Sequence, residues 1–355
     1  MTQPTPRRPK VILHVGTHKT GTTGIQFVLS ENRAHLASVG VWYPRIDEFF
    51  PVDSRLPSAR QHVAFAAAVA NFTPLDRIKI ARFVGTIHAH AAEYDRVIIS
   101  AESMYRHLAP PLFDPHEESA TQQRARYIDR LAAVFSRFDV EVLMYLRSVD
   151  RFATSFYAES IMASSNAQTF TKFLNNRVHR FDYRAQIDLF GAYFPLKLRS
   201  FEAAAKAGLI ERFCEDAGIP GEMPETADRT RPSASNAAVL WLRRAKKEAG
   251  TMENIERKRR WHFSLLPINA ALFETKNRTD FWTSAAERDD FIETYQSNVS
   301  EVTFPPVTSG IAPLARWSDA QHADAERQFH AWHDANEERL KTREANRIPP
   351  FALDV

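Results

Sequence analysis

A segment rich in glycine, threonine and basic residues lies between the first apolar run of the chain and the first helical pattern. It reads HVGTHKTGTT from His14 to Thr23. In a turn between a strand and a helix, successive backbone N–H groups and the positive helix end attract anions, above all phosphate. The segment therefore predicts the handling of a phosphorylated ligand.

The lysine of this segment does not stand where a nucleotide triphosphatase would have it. That loop reads G-x-x-x-x-G-K-[ST], with lysine directly after the second glycine. Gly16 and Gly21 keep the spacing, but Thr22 follows them and Lys19 lies inside the loop. From there a lysine can reach the oxygen between a 5′-phosphate and a transferable group, where negative charge develops as that group leaves. The placement indicates group transfer.

Two later strand candidates end in residues that could share this chemistry. Glu102 follows the run Arg96–Ser100, and a carboxylate at the carboxyl end of a buried strand is a candidate general base. Arg147 follows the run Val140–Leu146, and Ser155 comes eight residues later in a helical pattern. The forked guanidinium and the serine hydroxyl can converge on one phosphate.

The sequence KTGTT after a strand resembles the 5′-phosphosulfate loop of sulfotransferases that use 3′-phosphoadenylyl sulfate (PAPS). The resemblance implies that Lys19 assists the departing phosphate. It also implies that Arg147 and Ser155, with the family's spacing of eight, bind the 3′-phosphate of PAPS. The residues implied to grip the 5′-phosphate, together with Lys19, are Thr20, Gly21, Thr22 and Thr23.

The resemblance bears on the base as well. Some sulfotransferase groups have histidine at this functional position, and others, including heparan N-sulfotransferases, use glutamate. This sequence looks like the glutamate type, with Glu102 as the base and His18 and His107 as alternatives. His18 is also a candidate for binding or shaping the loop that contains it, and Glu102 for capping a helix or pairing with an arginine.

A weaker candidate lies in the polar stretch of residues 222–231, before another helical pattern. Related sulfotransferases have a segment here that covers the nucleotide, which makes Arg231 a candidate for an additional phosphate contact. The chain lacks the Arg-Lys-Gly triplet of the cytosolic animal enzymes, so a solvated loop is the alternative interpretation. The resemblance covers about the first 200 residues, and the last 100 offer no motif.

The elements that position these residues alternate between strand and helix, which predicts a parallel sheet flanked by helices. The predicted strands are Val11–Val15, Arg96–Ser100, Val140–Leu146 and Leu196–Phe201. The predicted helices are Ile25–Leu36, Ser119–Arg137, Asp150–Met162, Tyr183–Phe194, Ala205–Ala217 and Ser235–Ala249, and Gln61–Ala92 carries further, alanine-rich helical patterns. The fold class is therefore α/β, with three layers in a P-loop-like fold and a helical C-terminal extension.

The domain organisation follows from where the motifs lie. Residues 1–9 are predicted to form a flexible leader and residues 10–355 a single sulfotransferase domain. Its nucleotide-binding α/β core spans 10–220, and a mostly helical cover with acceptor specificity spans 221–355. Between positions 243 and 260, eight basic residues outnumber three acidic ones. They suggest a rim for an anionic acceptor such as an acidic glycan, or else a solvated helix face.

The composition limits the class of protein. With 355 residues, 44% of them hydrophobic, the chain can bury a large core, and its net charge of +3 does not indicate a nucleic-acid partner. One cysteine, Cys214, excludes an intrachain disulfide and fits a reducing compartment. The polar N-terminus lacks a signal pattern, and no apolar stretch reaches membrane-spanning length. We therefore expect a cytoplasmic protein without a membrane span or a metal.

Together with these residues, the family resemblance implies an enzyme that transfers a sulfuryl group from PAPS to a hydroxyl or amine, leaving 3′,5′-adenosine diphosphate (PAP). A glycan or a small molecule is the candidate acceptor; O- against N-sulfation and oligomeric state stay open. One alternative is a P-loop kinase or other phosphotransferase, which requires lysine after Gly21 and an acid for magnesium that Glu102 could imitate. The other is a non-catalytic nucleotide-binding module.

Overall fold

A computed structural model of the protein describes residues 10–17, 20–50, 62–90, 93–110, 118–224, 234–253, 280–307 and 319–336. The strands are β1 (Lys10–Gly16), β2 (Val41–Trp42), β3 (Arg96–Ser100), β4 (Asp139–Leu146) and β5 (Leu196–Ser200). The helices are α1 (Thr22–Glu31), α2 (Arg33–Ser38), α3 (His62–Asn71), α4 (Pro74–Ala89), α5 (Ala120–Val134), α6 (Val149–Ala163), α7 (Phe170–Asn175), α8 (Val178–Phe181), α9 (Tyr183–Gly191), α10 (Phe201–Ala207), α11 (Leu209–Ala217), α12 (Asn236–Lys247), α13 (Ala285–Gln296) and α14 (Asp319–Ala335).

The five strands form one parallel sheet in the order β2-β3-β1-β4-β5. β1 lies in the middle, and its continuous apolar run suits a strand that is covered on both faces. Lys10 at its start pairs with Arg96 of β3 and Asp139 of β4, so these strands begin in register. The predicted α/β class, with a central parallel sheet flanked by helices, is confirmed.

The sheet has one more strand than the sequence predicted. β2 consists of two residues, Val41 and Trp42, which pair with Arg96 and Val97 of β3. Two residues are too few to produce a recognisable apolar run. β2 forms one edge of the sheet and β5 the other; on β5, the Arg199 guanidinium binds the buried Asp216 carboxylate at 2.7 Å.

Three segments with predicted helical patterns each form two helices, and the bounds predicted for single helices at Ile25–Leu36 and Ala205–Ala217 are wrong. The first divides at Asn32, between α1 and α2. The second divides near Phe72, which has a φ of 54°, and α4 begins where the Thr73 side chain accepts the Asp76 N–H. The third begins directly after β5 and divides at Gly208, whose φ is 97°. Apolar spacing continues across such local breaks, so it does not reveal them.

The chain forms two compact units. The first comprises Met1–Val149, His179–Arg229 and Tyr295–Pro305, and it contains the sheet. One of its core clusters packs residues of β1, β3 and β4 against helices α1, α2 and α11. The second comprises Asp150–Val178, Thr230–Thr294 and Pro306–Val355. Its described core is aromatic and includes Phe156, Tyr157, Phe170, Phe173, Phe281 and Trp282.

The basic stretch after residue 243 is only partly described, and one of its residues does not face solvent. Lys246 is fully buried and donates hydrogen bonds to the carbonyls of Ile161 and Ser164 at the end of α6. A cation at the negative end of a helix is stabilising, so this lysine belongs to the core of the second unit. None of the helices described is long and apolar enough to cross a membrane.

Candidate functional site

Predicted site residues follow three neighbouring strands, β1, β3 and β4, at the carboxyl-terminal end of the sheet. The register pairs His14 of β1 with Ser100 of β3, and Gly16 of β1 with Tyr145 of β4. Glu102 lies two residues beyond Ser100, and Arg147 two residues beyond Tyr145. All strands of a parallel sheet end on the same side of it. Glu102 and Arg147 therefore lie beside the loop that follows Gly16, at the end of the sheet where α/β proteins bind ligands.

The loop after β1 is held together by its own threonines. Thr20 is fully buried, and its hydroxyl donates to the Thr17 carbonyl at 2.8 Å. Thr20 Oγ1 also lies 3.1 Å from Thr22 Oγ1, and since Thr20 has used its proton, Thr22 is the donor. These hydroxyls shape the loop, so their predicted contact with a 5′-phosphate stays a prediction. His18 and Lys19 lie outside the residues that the structure describes.

Two glycines permit the backbone path of this loop. Gly21 precedes α1 with a φ of 66°, and a Cβ there would lie 2.3 Å from Leu209 Cδ2. A Cβ on Gly16 would lie 2.9 Å from the Tyr145 carbonyl oxygen. The first turn of a helix leaves its leading N–H groups without intrahelical acceptors, and here that turn contains Thr22 and the partly exposed Thr23. These N–H groups can bind an anion.

Glu102 begins a single turn of 3-10 helix that spans Glu102–Tyr105. The residue is 8% exposed, so its carboxyl group is largely withdrawn from solvent. The preceding residue, Ala101, donates its N–H to the His14 carbonyl at 3.1 Å, which ties the start of this turn to β1. A largely buried carboxyl group beside the loop after β1 can accept a proton from a substrate.

A buried polar network fixes the end of β3, just before Glu102. His62 Nδ1 accepts the Ser100 N–H at 3.0 Å, and His62 Nε2 lies 3.0 Å from the Pro44 carbonyl. The proton is therefore on Nε2. His14 Nδ1 lies 2.8 Å from Ser100 Oγ, and the Gln26 amide donates to the Ser100 carbonyl at 2.9 Å. Burial lowers the pKa of both histidines to about 3, so both are neutral near pH 7.

His107, an alternative base from the sequence, is poorly suited to that role. Its carbonyl accepts from Arg124 Nη1 at 2.9 Å, and its ring lies 5.7 Å from the ring of Tyr127. The pKa of His107 is lowered to about 3, mainly by burial and also by the charges of Arg106, Arg124 and Arg180. A general base works best with a pKa near the working pH, and the lowered pKa of His107 lies far from that range.

The turn after β4 is held by three side chains. Arg147 donates its N–H to Thr17 Oγ1 at 3.1 Å, and Tyr183 donates its hydroxyl proton to the Arg147 carbonyl at 2.6 Å. Ser148 donates its N–H to both Glu202 carboxylate oxygens, at 3.1 and 3.2 Å. Glu202 Oε1 also lies 3.9 Å from Arg147 Nε. The backbone of this turn is therefore held by the loop after β1, by α9 and by α10.

Sequence reasoning missed the three residues that hold this turn, although two of them carried a signal. Thr17 belongs to the loop already chosen for its composition. Glu202 directly follows the predicted strand Leu196–Phe201, so the argument applied to Glu102 would have found it. Tyr183 begins a helix and has no such signal; burial raises its pKa well above the ordinary value.

Two residues that the sequence predicted to contact a phosphate lie outside this part of the structure. Ser155 is partly exposed on α6, in the portion that belongs to the second unit. Arg231 lies outside the described part of the chain. Their roles stay predictions. Among the residues that the structure describes, no group of three or more His, Cys, Asp or Glu side chains could hold a metal ion.

No protein-family model matches this chain, and no curated protein matches its sequence. Among solved structures, it is similar to a crystal structure of a sulfotransferase from Alicyclobacillus acidocaldarius, with 16% sequence identity and a TM-score of 0.37. That match covers 71% of this chain and 95% of the other.

Proposed function

We propose that this protein is a PAPS-dependent sulfotransferase that transfers a sulfuryl group to a hydroxyl or amine of its acceptor. One observation carries the proposal: three adjacent parallel strands, β1, β3 and β4, are followed by a loop that leads into a helix N-terminus, by a largely buried carboxyl group and by an arginine. A donor with a 5′-phosphosulfate and a 3′-phosphate needs two anion sites, and its acceptor needs a base. Groups of all three kinds lie at the carboxyl-terminal end of the sheet.

The residues at this end of the sheet fit such a donor. The first turn of α1, after Gly21, suits the 5′-phosphate because its leading N–H groups face no intrahelical acceptor. Arg147, about a quarter exposed, suits the 3′-phosphate because a guanidinium binds phosphate with two parallel hydrogen bonds. Lys19, Ser155 and Arg231 join this set by their places in the sequence alone.

The chemistry that PAPS supplies is a sulfuryl group activated by a phosphate leaving group. Glu102 takes the proton that the acceptor loses as its oxygen or nitrogen bonds to sulfur. The Lys19 ammonium stabilises the charge on the 5′-phosphate oxygen as the sulfur–oxygen bond breaks. Arg147 orients the nucleotide, so that the attacking and leaving atoms stay in line. The products are PAP and a sulfated acceptor.

The acceptor and the location are part of the same proposal. We assign acceptor choice to residues 221–355, where the family resemblance ends, and expect a carbohydrate or a small molecule. A reducing compartment, the cytoplasm, suits a chain whose one cysteine, Cys214, is buried and whose thiol pKa is raised to about 11 by burial.

Calorimetric titration tests the nucleotide. We expect PAP to bind more tightly than AMP or magnesium ATP. Arg147→Ala should lower the affinity for PAP by about 10- to 100-fold, which is the range for the loss of a charged hydrogen bond. Arg137→Ala is the matched control, because this exposed arginine precedes β4 at the opposite end of the strand. Lys19→Ala should mainly lower turnover.

The other outcomes separate the competing functions. A preference for magnesium ATP would support a kinase, in which Glu102 holds the metal. PAP binding without turnover on any hydroxyl or amine acceptor would support the non-catalytic module. An absence of nucleotide binding would refute the proposal.

A further inference from the structure

We propose that Glu202 is a positioning residue for Arg147, and that its carboxylate directs the guanidinium toward the 3′-phosphate of the nucleotide. The identity of that ligand rests on the proposed function. The contact between the two side chains does not depend on that function, and it can be tested without a nucleotide.

The fold brings Glu202 to this place through the pairing of β4 with β5. The register sets Leu146, the last residue of β4, opposite Ser200, the last residue of β5. α10 begins at the next residue, and the Ser200 hydroxyl accepts the Ala203 N–H at 3.3 Å. Glu202, the second residue of this helix, therefore lies beside the turn that contains Arg147.

The Glu202 carboxylate makes its contacts in a nearly buried position. Its side chain is 11% exposed, and its two oxygens accept the Ser148 N–H. Oε1 lies 3.9 Å from Arg147 Nε, the guanidinium nitrogen closest to it. A carboxylate withdrawn from water needs compensating charge and hydrogen bonds, and these two neighbours supply both.

A second contact from the same helix acts on the same guanidinium. Arg147 Cζ lies 5.8 Å from the ring centroid of Phe201, within the range of a cation–π interaction. Phe201 and Glu202 are consecutive, so the start of α10 contacts the guanidinium with both a ring and a carboxylate. The carboxylate is nearest Nε, whereas an arginine can bind a phosphate in bidentate fashion through its terminal nitrogens. A guanidinium held in this way loses less freedom when an anion binds.

A positioning role and a merely structural role predict different results for Glu202→Gln. Glutamine keeps an oxygen that can accept the Ser148 N–H but removes the charge near Arg147. A structural role predicts lower stability of the protein and an equal loss of affinity for AMP and for PAP. Positioning predicts that only the contribution of the 3′-phosphate is lost, so the ratio of the AMP and PAP dissociation constants falls by about tenfold.

Calorimetry with AMP and PAP measures this ratio in a double-mutant cycle. Glu202→Gln should add little to Arg147→Ala, because the two changes remove one coupled interaction. Glu211→Gln, at an exposed carboxylate on α11, is the control and should leave the ratio unchanged. Equal weakening of both nucleotides by Glu202→Gln would overturn the proposal.

A nucleotide-free measurement separates this inference from the proposed function. The NMR signal of the Arg147 Nε–Hε group, identified by its loss in Arg147→Lys, should be well resolved and slow to exchange with water. In Glu202→Gln it should move to the averaged position of mobile arginines and exchange faster. An unchanged signal refutes positioning by Glu202, whatever binds. Wild-type protein that binds AMP and PAP equally refutes the proposed function, while the NMR signal still decides the positioning.

Discussion

The Tyr183 hydroxyl donates a hydrogen bond to the Arg147 carbonyl at 2.6 Å, across 36 residues of sequence. On the other side of the same residue, the Arg147 N–H donates to Thr17 Oγ1 at 3.1 Å. Both main-chain polar groups of Arg147 are thus paired with side chains from other elements. The arginine for which we propose phosphate binding is therefore attached to backbone that is held on both sides.

Tyr183→Phe should therefore affect both stability and ligand binding. We expect the free energy of unfolding to fall by about 1–2 kcal/mol, because the Arg147 carbonyl loses its donor in a buried place. The affinity for PAP should fall several-fold; urea unfolding and calorimetry measure the two effects. Tyr105→Phe is the matched control, since Tyr105 donates to the Arg180 carbonyl at 3.2 Å. It should cost similar stability and leave PAP affinity unchanged; equal affinity losses would contradict this explanation.

Gly21→Ala should disrupt the loop after β1, whereas Gly24→Ala should be harmless. Gly21 has a φ of 66°, and an added Cβ would overlap Leu209, so we expect a loss of more than about 1 kcal/mol and weaker PAP binding. Gly24 lies within α1, and an added Cβ would meet no atom within 4 Å. Alanine there should stabilise the helix by about 0.5–1 kcal/mol. Thermal unfolding distinguishes the two, and equal effects would exclude a special role for Gly21.

The free energy of unfolding should fall as the pH is lowered, because His14 and His62 are buried in the neutral form. Burial lowers the pKa of each to about 3, whereas histidine in an unfolded chain titrates near about 6.5. Between these values only the unfolded chain binds the proton. Stability present above pH about 6.5 is therefore lost toward pH about 3, at about 1.4 kcal/mol per histidine and pH unit.

His62→Gln tests this dependence on pH. Glutamine offers a donor and an acceptor but does not titrate, so the slope of the unfolding free energy between pH about 7 and about 5 should decrease by one histidine's share. His88→Gln changes an exposed histidine on α4 and should leave the slope as it is. An unchanged slope in His62→Gln would mean that His62 is protonated in the folded protein.

Glu102→Gln should separate catalysis from nucleotide binding. Loss of a general base lowers the rate of transfer by about 10²–10⁴-fold, while the dissociation constant of PAP should stay the same. Turnover of labelled PAPS over a panel of hydroxyl and amine acceptors measures the rate. Glu93→Gln, at an exposed carboxylate before β3, should retain full turnover. Retained turnover in Glu102→Gln would move the role of base to another residue.

The sequence predicts the main strands of the fold better than the positions at which its helices are interrupted. β1, β3 and β4 are largely apolar runs, as burial on both faces of a parallel sheet requires, whereas the edge strand β5 alternates apolar residues with Lys197 and Arg199. β2 has two residues and no pattern of its own, so it was missed. The break at Gly208 depends on one backbone angle, and helical spacing continues on either side of it.

The candidate site could be predicted as far as strand ends could be recognised. Glu102 and Arg147 were found because each directly follows a predicted strand. Thr17 and Glu202 meet the same condition, but the family resemblance gave them no role. Tyr183 reaches Arg147 only through the packing of α9, and no spacing in the sequence reports a contact of that kind.

The two edge strands bear on aggregation. A long, bare edge strand offers unpaired N–H and C=O groups to other chains, and short or inwardly charged edge strands prevent such pairing. Here β2 is two residues long, and β5 carries Lys197 and Arg199, whose side chains bind the carbonyl and the carboxylate of Asp216. Neutral residues at these two positions would therefore make the protein more prone to form strand-paired aggregates, even with its binding residues intact.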